Sequence, residues 1–156
     1  MSRVQLALNV DDVDAAVDFY RRLFATEPAK RRPGYANFAI VNPPLKLVLI
    51  ENPGKGGTMN HLGVEVFSKE EVTQANERLQ AAGLAPAPES GACCYALQEK
   101  VWVHDPDGAP WEVYTVLGDA PVGPHAVPSA PGAACCAPSA PDTEASASSE
   151  SCCGPR

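Results

Sequence analysis

No stretch of this chain stays apolar for the roughly 18 residues that a membrane-spanning helix needs, and no charged-then-apolar leader opens it. Neither a transmembrane helix nor a secretory signal is therefore expected. Basic residues are also scarce. Lys and Arg number 12 against 19 Asp and Glu, the net charge is −7, and no basic patch interrupts the distributed acids. That balance argues against nucleic acid and against anionic membrane as partners. The most telling absence is of any isolated cysteine. All six stand in adjacent pairs, Cys93-Cys94, Cys135-Cys136 and Cys152-Cys153, where random placement would give roughly 0.2 such pairs.

With no leader, the thiols should meet a reducing cytoplasm. Neighbouring cysteines close only a small, strained disulfide ring that is easily reduced, so the pairs read as dithiols. Two thiolates bind a soft centre such as trivalent arsenic, cadmium or mercury more tightly than one, because the second sulfur attaches intramolecularly. Only Cys93-Cys94 lies within a patterned segment. The apolar run 91–97 reads as a β-strand facing a core, with two small, inert buried residues as the bland alternative.

A chain of 156 residues, 45% of them hydrophobic, can bury one ordinary core, so one domain plus a tail is expected. Residues 4–10 read as a strand. Asp11 and Asp12 are N-cap candidates, and Val13, Ala16, Val17, Tyr20, Leu23 and Phe24 recur at helical spacing. Strands follow at 35–41 and 45–50, around Asn42-Pro43-Pro44. The Gly/Pro stretch 52–57 is a connector, since its lysine lacks the Gly-Lys-Ser/Thr order of a phosphate loop.

The pattern then restarts. His61-Leu62-Gly63-Val64-Glu65-Val66 has the shape of Gln5-Leu6-Ala7-Leu8-Asn9-Val10. Val72, Ala75, Leu79 and Ala82 form a second helical stripe closed by Gly83. Strands at 85–89, 92–97 and 100–104 lead to the turn Asp105-Pro106-Asp107-Gly108 and a closing strand at 110–116. The expected fold class is α+β. Two tandem βαβββ modules, about 2–51 and 59–117, make a domain over 1–117, followed by a disordered Pro/Ala/Ser/Cys-rich tail over 118–156.

The repeat puts Gln5 and His61 at equivalent positions, so a pseudo-twofold axis would bring both to one central cavity. Alternation places Glu112 on the face opposite Trp111 and Val113. Taken singly, His61 reads as a structural histidine and Glu112 as an exposed carboxylate. His104 and His125 read as bystanders, and Phe19, Phe38 and Trp111 as core or pocket wall.

The repeated module and the ending Asp105-Pro106-Asp107-Gly108-Ala109-Pro110-Trp111-Glu112-Val113-Tyr114 resemble the vicinal oxygen chelate superfamily, which includes glyoxalases, extradiol dioxygenases and fosfomycin-resistance thiol transferases. The resemblance spans about residues 2–117. It implies a divalent metal held by the first and last strands of each module. Carried over position by position, Gln5, His61 and Glu112 are the implied ligands and catalytic centre, while the fourth place falls on an apolar residue such as Leu47 or Leu49. Three mixed N/O ligands leave open positions on an octahedral ion, which suits Fe(II) binding O₂ beside a substrate. Ni, Mn and Co are alternative occupants.

Within that superfamily, a vicinal cysteine pair on a late strand resembles the organoarsenical carbon–arsenic lyases, and cadmium-induced proteins are similar in the core. The implied activity is Fe(II)- and O₂-dependent cleavage of the C–As bond of trivalent methylarsenite or aromatic arsenicals, giving arsenite. Cys93 and Cys94 would hold the arsenic, with Tyr95 hydrogen-bonding nearby. The implied protein is a cytoplasmic monomer or homodimer whose partner is a small molecule. Cys135, Cys136, Cys152 and Cys153 would be accessory thiols that pass cargo to Cys93-Cys94 or accept product arsenite. Two alternatives are a non-catalytic thiol protein that sequesters Cd(II) or As(III) and a glyoxalase-like or thiol-transferase-like metalloenzyme.

Overall fold

Alternation along the strands divides this molecule into an apolar outer face and a polar inner one. The computed structural model describes residues 2–125, 127 and 128. Both tail cysteine pairs, and most of the tail expected to be disordered over 118–156, fall outside the described residues. The elements run β1 (Arg3–Val10), α1 (Val13–Phe24), β2 (Lys30–Arg32), β3 (Tyr35–Ile40), β4 (Leu45–Glu51), β5 (Met59–Glu65), α2 (Lys69–Ala81), β6 (Ala87–Cys93), β7 (Ala96–His104) and β8 (Pro110–Asp119). The strands form one sheet in the order β2-β3-β4-β1-β5-β8-β7-β6. At its centre β1 pairs antiparallel with β5, and each of these pairs in parallel with the last strand of its own half, β4 or β8.

Both helices cover the outer face. Asp12 caps α1, its carboxylate accepting from the backbone of Asp14 and Ala15 at 2.8 and 2.9 Å. Val13 and Val17 then pack on Phe38, Ile40, Leu47 and Leu49. Ser68 caps α2, whose Val72, Ala75 and Leu79 pack on Val101, with Val64, Val103 and Val113 alongside. Among the described residues no helix is long and apolar enough to cross a membrane. Phe38 is fully buried and Trp111 half-buried, but Phe19 is 54% exposed and belongs to neither core nor pocket.

The sheet curls until its two edges meet. Tyr95, between β6 and β7, donates its hydroxyl to the Pro33 carbonyl at 3.0 Å and packs its ring 5.5 Å from that of Tyr35. Lys30 of β2 reaches the Tyr95 carbonyl at 2.9 Å and pairs with Asp119.

Several expectations need correction. Cys93-Cys94 is not inside a strand: β6 ends at Cys93, and Cys94 and Tyr95 form a two-residue turn with φ of 57° and 60°. Both central residues in the left-handed region mark a type I′ hairpin, which sequence reading seeks at Asn-Gly rather than Cys-Tyr. The two strands expected at 85–89 and 92–97 are therefore one strand and the start of the next. Leu47 and Leu49 face the α1 core, while Lys46 and Val48 face inward, and Val48 sits opposite Ala7. Short β2 carried no apolar alternation and was missed. β8 runs two residues past the boundary placed at 117, and the chain beyond it hydrogen-bonds to the cysteine turn.

Ala25 ends α1 in the left-handed region, at φ 48° and ψ 40°. Removing its Cβ relieves a steric cost of about 1 kcal/mol at a helix end that favours glycine. Ala25→Gly should raise the urea midpoint by a corresponding amount; a lower midpoint would contradict this.

Candidate active site

Three neighbouring central strands converge their inward side chains. Gln5 on β1 lies opposite Gly63 on β5, and Gly63 lies opposite Glu112 on β8. Because the middle position has no side chain, Gln5 and Glu112 reach over it, and Gln5 Nε2 donates to Glu112 Oε1 at 2.8 Å. A Cβ on Gly63 would stand 3.1 Å from Glu112 Cγ and 3.4 Å from two atoms of Gln5. His61, two residues earlier on β5, lies opposite the small Ala7. Its Nε2 is 3.0 Å from Gln5 Nε2 and 3.3 Å from Glu112 Oε1. All three side chains are buried, and all three line one cavity of about 210 Å³.

Neighbours orient each member of this triangle. Tyr114 donates its hydroxyl to Gln5 Oε1. His61 Nδ1 is 2.7 Å from Asn60 Oδ1, and the Trp102 ring stands edge-on 5.4 Å from the imidazole. Lys100 Nζ donates to Glu112 Oε2 at 2.7 Å, which leaves Oε1 for the triangle. On the same inner face Lys46 pairs with Glu65 at 2.8 Å, and Arg3 also pairs with Glu65. Lys100, Tyr114, Lys46 and Glu65 escaped the sequence reading. Their signal was a lone polar residue flanked by apolar ones in a strand, as Lys46 between Leu45 and Leu47 and Glu65 between Val64 and Val66.

Cys94 lines the same cavity, and Cys93 sits buried behind it with its sulfur 2.9 Å from that of Cys94. Gln98 holds the Cys93 carbonyl at 2.8 Å. The backbones of Cys94 and Tyr95 donate to the carbonyls of Gly123 and Val122 at 3.3 and 2.7 Å. Tyr95 itself is not among the cavity-lining residues; its hydroxyl is engaged with Pro33. His104 Nε2 lies 2.9 Å from the Pro128 carbonyl, and His125 Nε2 lies 3.3 Å from Glu89, both away from the triangle.

Residues 3–113 match the family model described as the Glyoxalase/Bleomycin resistance protein/Dioxygenase superfamily. The chain belongs to that superfamily. It is 67% identical over 120 residues to the "Cadmium-induced protein CadI" of Mycobacterium bovis, covering 76% of this chain and 79% of that one. It is 53% identical over 155 residues to the "Trivalent organoarsenical cleaving enzyme" of Thermomonospora curvata, covering 98% and 100%. An extradiol ring-cleaving dioxygenase from B. fuscum shares the fold, with a TM-score of 0.56 at 17% identity over 76% of this chain and 33% of that one.

The superfamily implies a divalent metal, and the triangle fits one. Donors bound at right angles to a single ion at about 2.1 Å lie ~3.0 Å apart. The three separations here are 2.8, 3.0 and 3.3 Å. Among the described residues no three His, Cys, Asp or Glu side chains cluster, so the third donor to such an ion would be the Gln5 amide, through Oε1 after turning over. Burial alone would raise the Glu112 carboxyl, but the adjoining His61 imidazole and the charge of Lys100 override it and hold the pKa at about 2, so Glu112 is ionised.

The dithiol is activated asymmetrically. The hydrogen bond from Cys94 lowers Cys93 from the ordinary 9.0 to about 6, against the effect of burial and with help from the His125 backbone and Lys100. That same bond, together with burial, pushes the Cys94 thiol up. The pair gives up its first proton easily and its second reluctantly.

Two outcomes follow. Alkylation of the Cys93-Cys94 peptide, followed by mass mapping, should rise with pH to half its plateau near about pH 6, and Cys94→Ala, which removes the donor, should move that midpoint upward; an ordinary midpoint in the unsubstituted chain would refute the activation. Gly63→Ala should lower stability by about 1–3 kcal/mol in urea unfolding, because its methyl is wedged between Gln5 and Glu112. An unchanged midpoint would show that the row has slack.

Proposed function

We propose that this protein cleaves the carbon–arsenic bond of trivalent organoarsenicals, such as methylarsenite or aromatic arsenicals, and releases arsenite, using Fe(II) held by Gln5, His61 and Glu112 and O₂ as co-substrate. The observation that carries the reading is a dithiol, 2.9 Å between sulfurs and with Cys94 on the cavity wall, beside the triangle of Gln5 amide, His61 imidazole and Glu112 carboxylate that lines the same cavity. A hard-donor triangle alone fits many reactions, and a dithiol alone fits sequestration. Together they fit a soft substrate held beside a reactive centre. The relative from Thermomonospora curvata that carries the name of such an enzyme supports this.

The protein's own steps are binding and orientation. A trivalent arsenical bearing two hydroxyls exchanges them for the two cysteine sulfurs: two As–S bonds form, two As–O bonds break, and the thiol protons leave with two waters. Cys93, ionised first, attacks first; Cys94 follows once the first As–S bond has replaced the negative charge that held its proton. The organic group remains as the third arsenic substituent. The cavity of about 210 Å³ suits a single ring, since an apolar cavity of ~150 Å³ accepts benzene. Tethering replaces a bimolecular encounter by an intramolecular one. Fe(II) at the triangle would supply O₂ activation beside that group. Lys100, bonded to Glu112 Oε2, keeps the carboxylate turned to the triangle and its own charge near both sulfurs.

We read residues 1–117 as two βαβββ copies of one module and 118–156 as a tail whose Cys135, Cys136, Cys152 and Cys153 are accessory thiols. The proposed setting is the cytoplasm, with the protein as a monomer or homodimer. A second reading, non-catalytic binding of Cd(II) or As(III), is favoured by the relative named as cadmium-induced.

The experiment is arsenite release from methylarsenite with Fe(II) under air, with O₂ uptake followed in parallel. Release with O₂ uptake is expected, and it should fall by at least ~100-fold in Cys93→Ser, Cys94→Ser or Glu112→Ala. Stoichiometric metalloid binding with no O₂ uptake would establish the second reading instead.

A further inference from the structure

A histidine can present Nε2 to a metal only as a lone pair, and the partner of its other ring nitrogen decides whether it does. His61 Nδ1 faces Asn60 Oδ1 at 2.7 Å. Asn60 Nδ2 donates to Asn9 Oδ1 at 2.8 Å, and Asn9 Nδ2 donates to Thr58 Oγ1 at 2.9 Å. Thr58 Oγ1 donates in turn to the Lys55 carbonyl at 2.7 Å. A carbonyl cannot donate, so this last bond imposes a direction on every other. With its one proton on the carbonyl, the Thr58 hydroxyl must accept from Asn9. The Asn9 amide is then turned so that its oxygen accepts from Asn60, and the Asn60 oxygen must accept from His61 Nδ1–H.

Two further contacts agree with that direction. Asn52 Nδ2 also points at Asn9 Oδ1, at 3.4 Å, which holds the same amide orientation. At the far end, Tyr114 donates to Gln5 Oε1, so the Gln5 amide nitrogen faces His61 Nε2 at 3.0 Å, nearer than Glu112 Oε1 at 3.3 Å, and it can donate there only if that nitrogen is bare.

We propose that the linker between β4 and β5 sets the tautomer of His61 through this one-way chain of Lys55 carbonyl, Thr58, Asn9 and Asn60, so that Nε2 is held as a lone pair toward Gln5 and Glu112. Thr58, Asn9 and Asn60 are positioning residues that touch no substrate. The tautomer does not depend on the metal reading above, whereas its purpose does. The same Gly/Pro connector, which has no ligand of its own, is pinned at both ends to β1, with Asn52 N donating to Val10 O at 2.8 Å at one end and Asn9 N donating to Thr58 O at 2.9 Å at the other.

The test reads the imidazole directly. The chain has three histidines, so ¹⁵N NMR of the metal-free protein, at a pH where imidazole is neutral, resolves the tautomer of His61. Co(II) titration by visible absorption reads affinity separately. The unsubstituted protein should show Nδ1–H. Thr58→Val, close in shape but without the hydroxyl, frees the chain to reverse; the Nε2–H form should appear and Co(II) affinity should fall by about 10-fold or more, within the ~10–100-fold usual for outer-shell partners of metal-binding histidines. Thr58→Ser should restore both. In an Asn60→Asp background the carboxylate has nothing to donate and accepts from Nδ1–H whichever way Asn9 turns, so adding Thr58→Val should then change neither readout. A merely structural effect of Thr58→Val would appear equally in both backgrounds and would overturn the proposal, as would Nε2–H in the unsubstituted protein or an unchanged tautomer in Thr58→Val. If the tautomers behave as stated but the unsubstituted protein does not bind Co(II), the metal reading fails and the chain of hydrogen bonds stands.

Discussion

The molecule depends on the row Gln5, Gly63, Glu112 across its three central strands. Glu112 is 3% exposed, and a lone carboxylate at that depth would be heavily penalised. It stays ionised because Gln5, His61 and Lys100 all reach it, and Gln5 reaches it only across the empty position of Gly63. The parallel pairing of β5 with β8 and the antiparallel pairing of β1 with β5 place these residues in register.

The inner face carries a second buried ion cluster, Lys46 with Glu65 and Arg3. Burial pulls the Lys46 ammonium down, and Glu65 only partly offsets this; Lys100, paired with Glu112 and near both cysteine sulfurs, is raised despite its burial. Paired charges of this kind seldom add net stability over an apolar core, since desolvation roughly cancels attraction. Their consequence is a cavity that is polar on one wall and ordered by fixed hydrogen bonds, an environment that can orient a small polar ligand.

At the cavity's edge the backbone carries strain. Cys94 and Tyr95 both occupy the left-handed region, which costs non-glycine residues of order 1–2 kcal/mol each. The turn is held by the carbonyls of Val122 and Gly123, by Lys30 on the Tyr95 carbonyl and by the Tyr95 hydroxyl on Pro33. That over-determination brings two sulfurs to 2.9 Å at the cavity, where a regular strand would send neighbouring side chains to opposite faces.

Period-two and helical spacing are local properties, and they sufficed to locate both helices, most strands and the inward side of Glu112. The adjacency of Cys93 and Cys94 was likewise written in the chain. What the chain by itself could not reveal was set by contacts between segments distant in sequence. The cysteine pair turned out to occupy a hairpin because tertiary hydrogen bonds stabilise a turn that its residues do not favour. The inward residue on β4 is Val48 rather than Leu47 or Leu49, because register with Ala7, and not composition, selects the face. Lys100 and Tyr114 looked like ordinary strand residues until the fold placed them on Glu112 and Gln5. The direction of the hydrogen bonds from Lys55 to His61 exists only where a linker, β1 and β5 lie side by side, since a tautomer is decided by a neighbour in space.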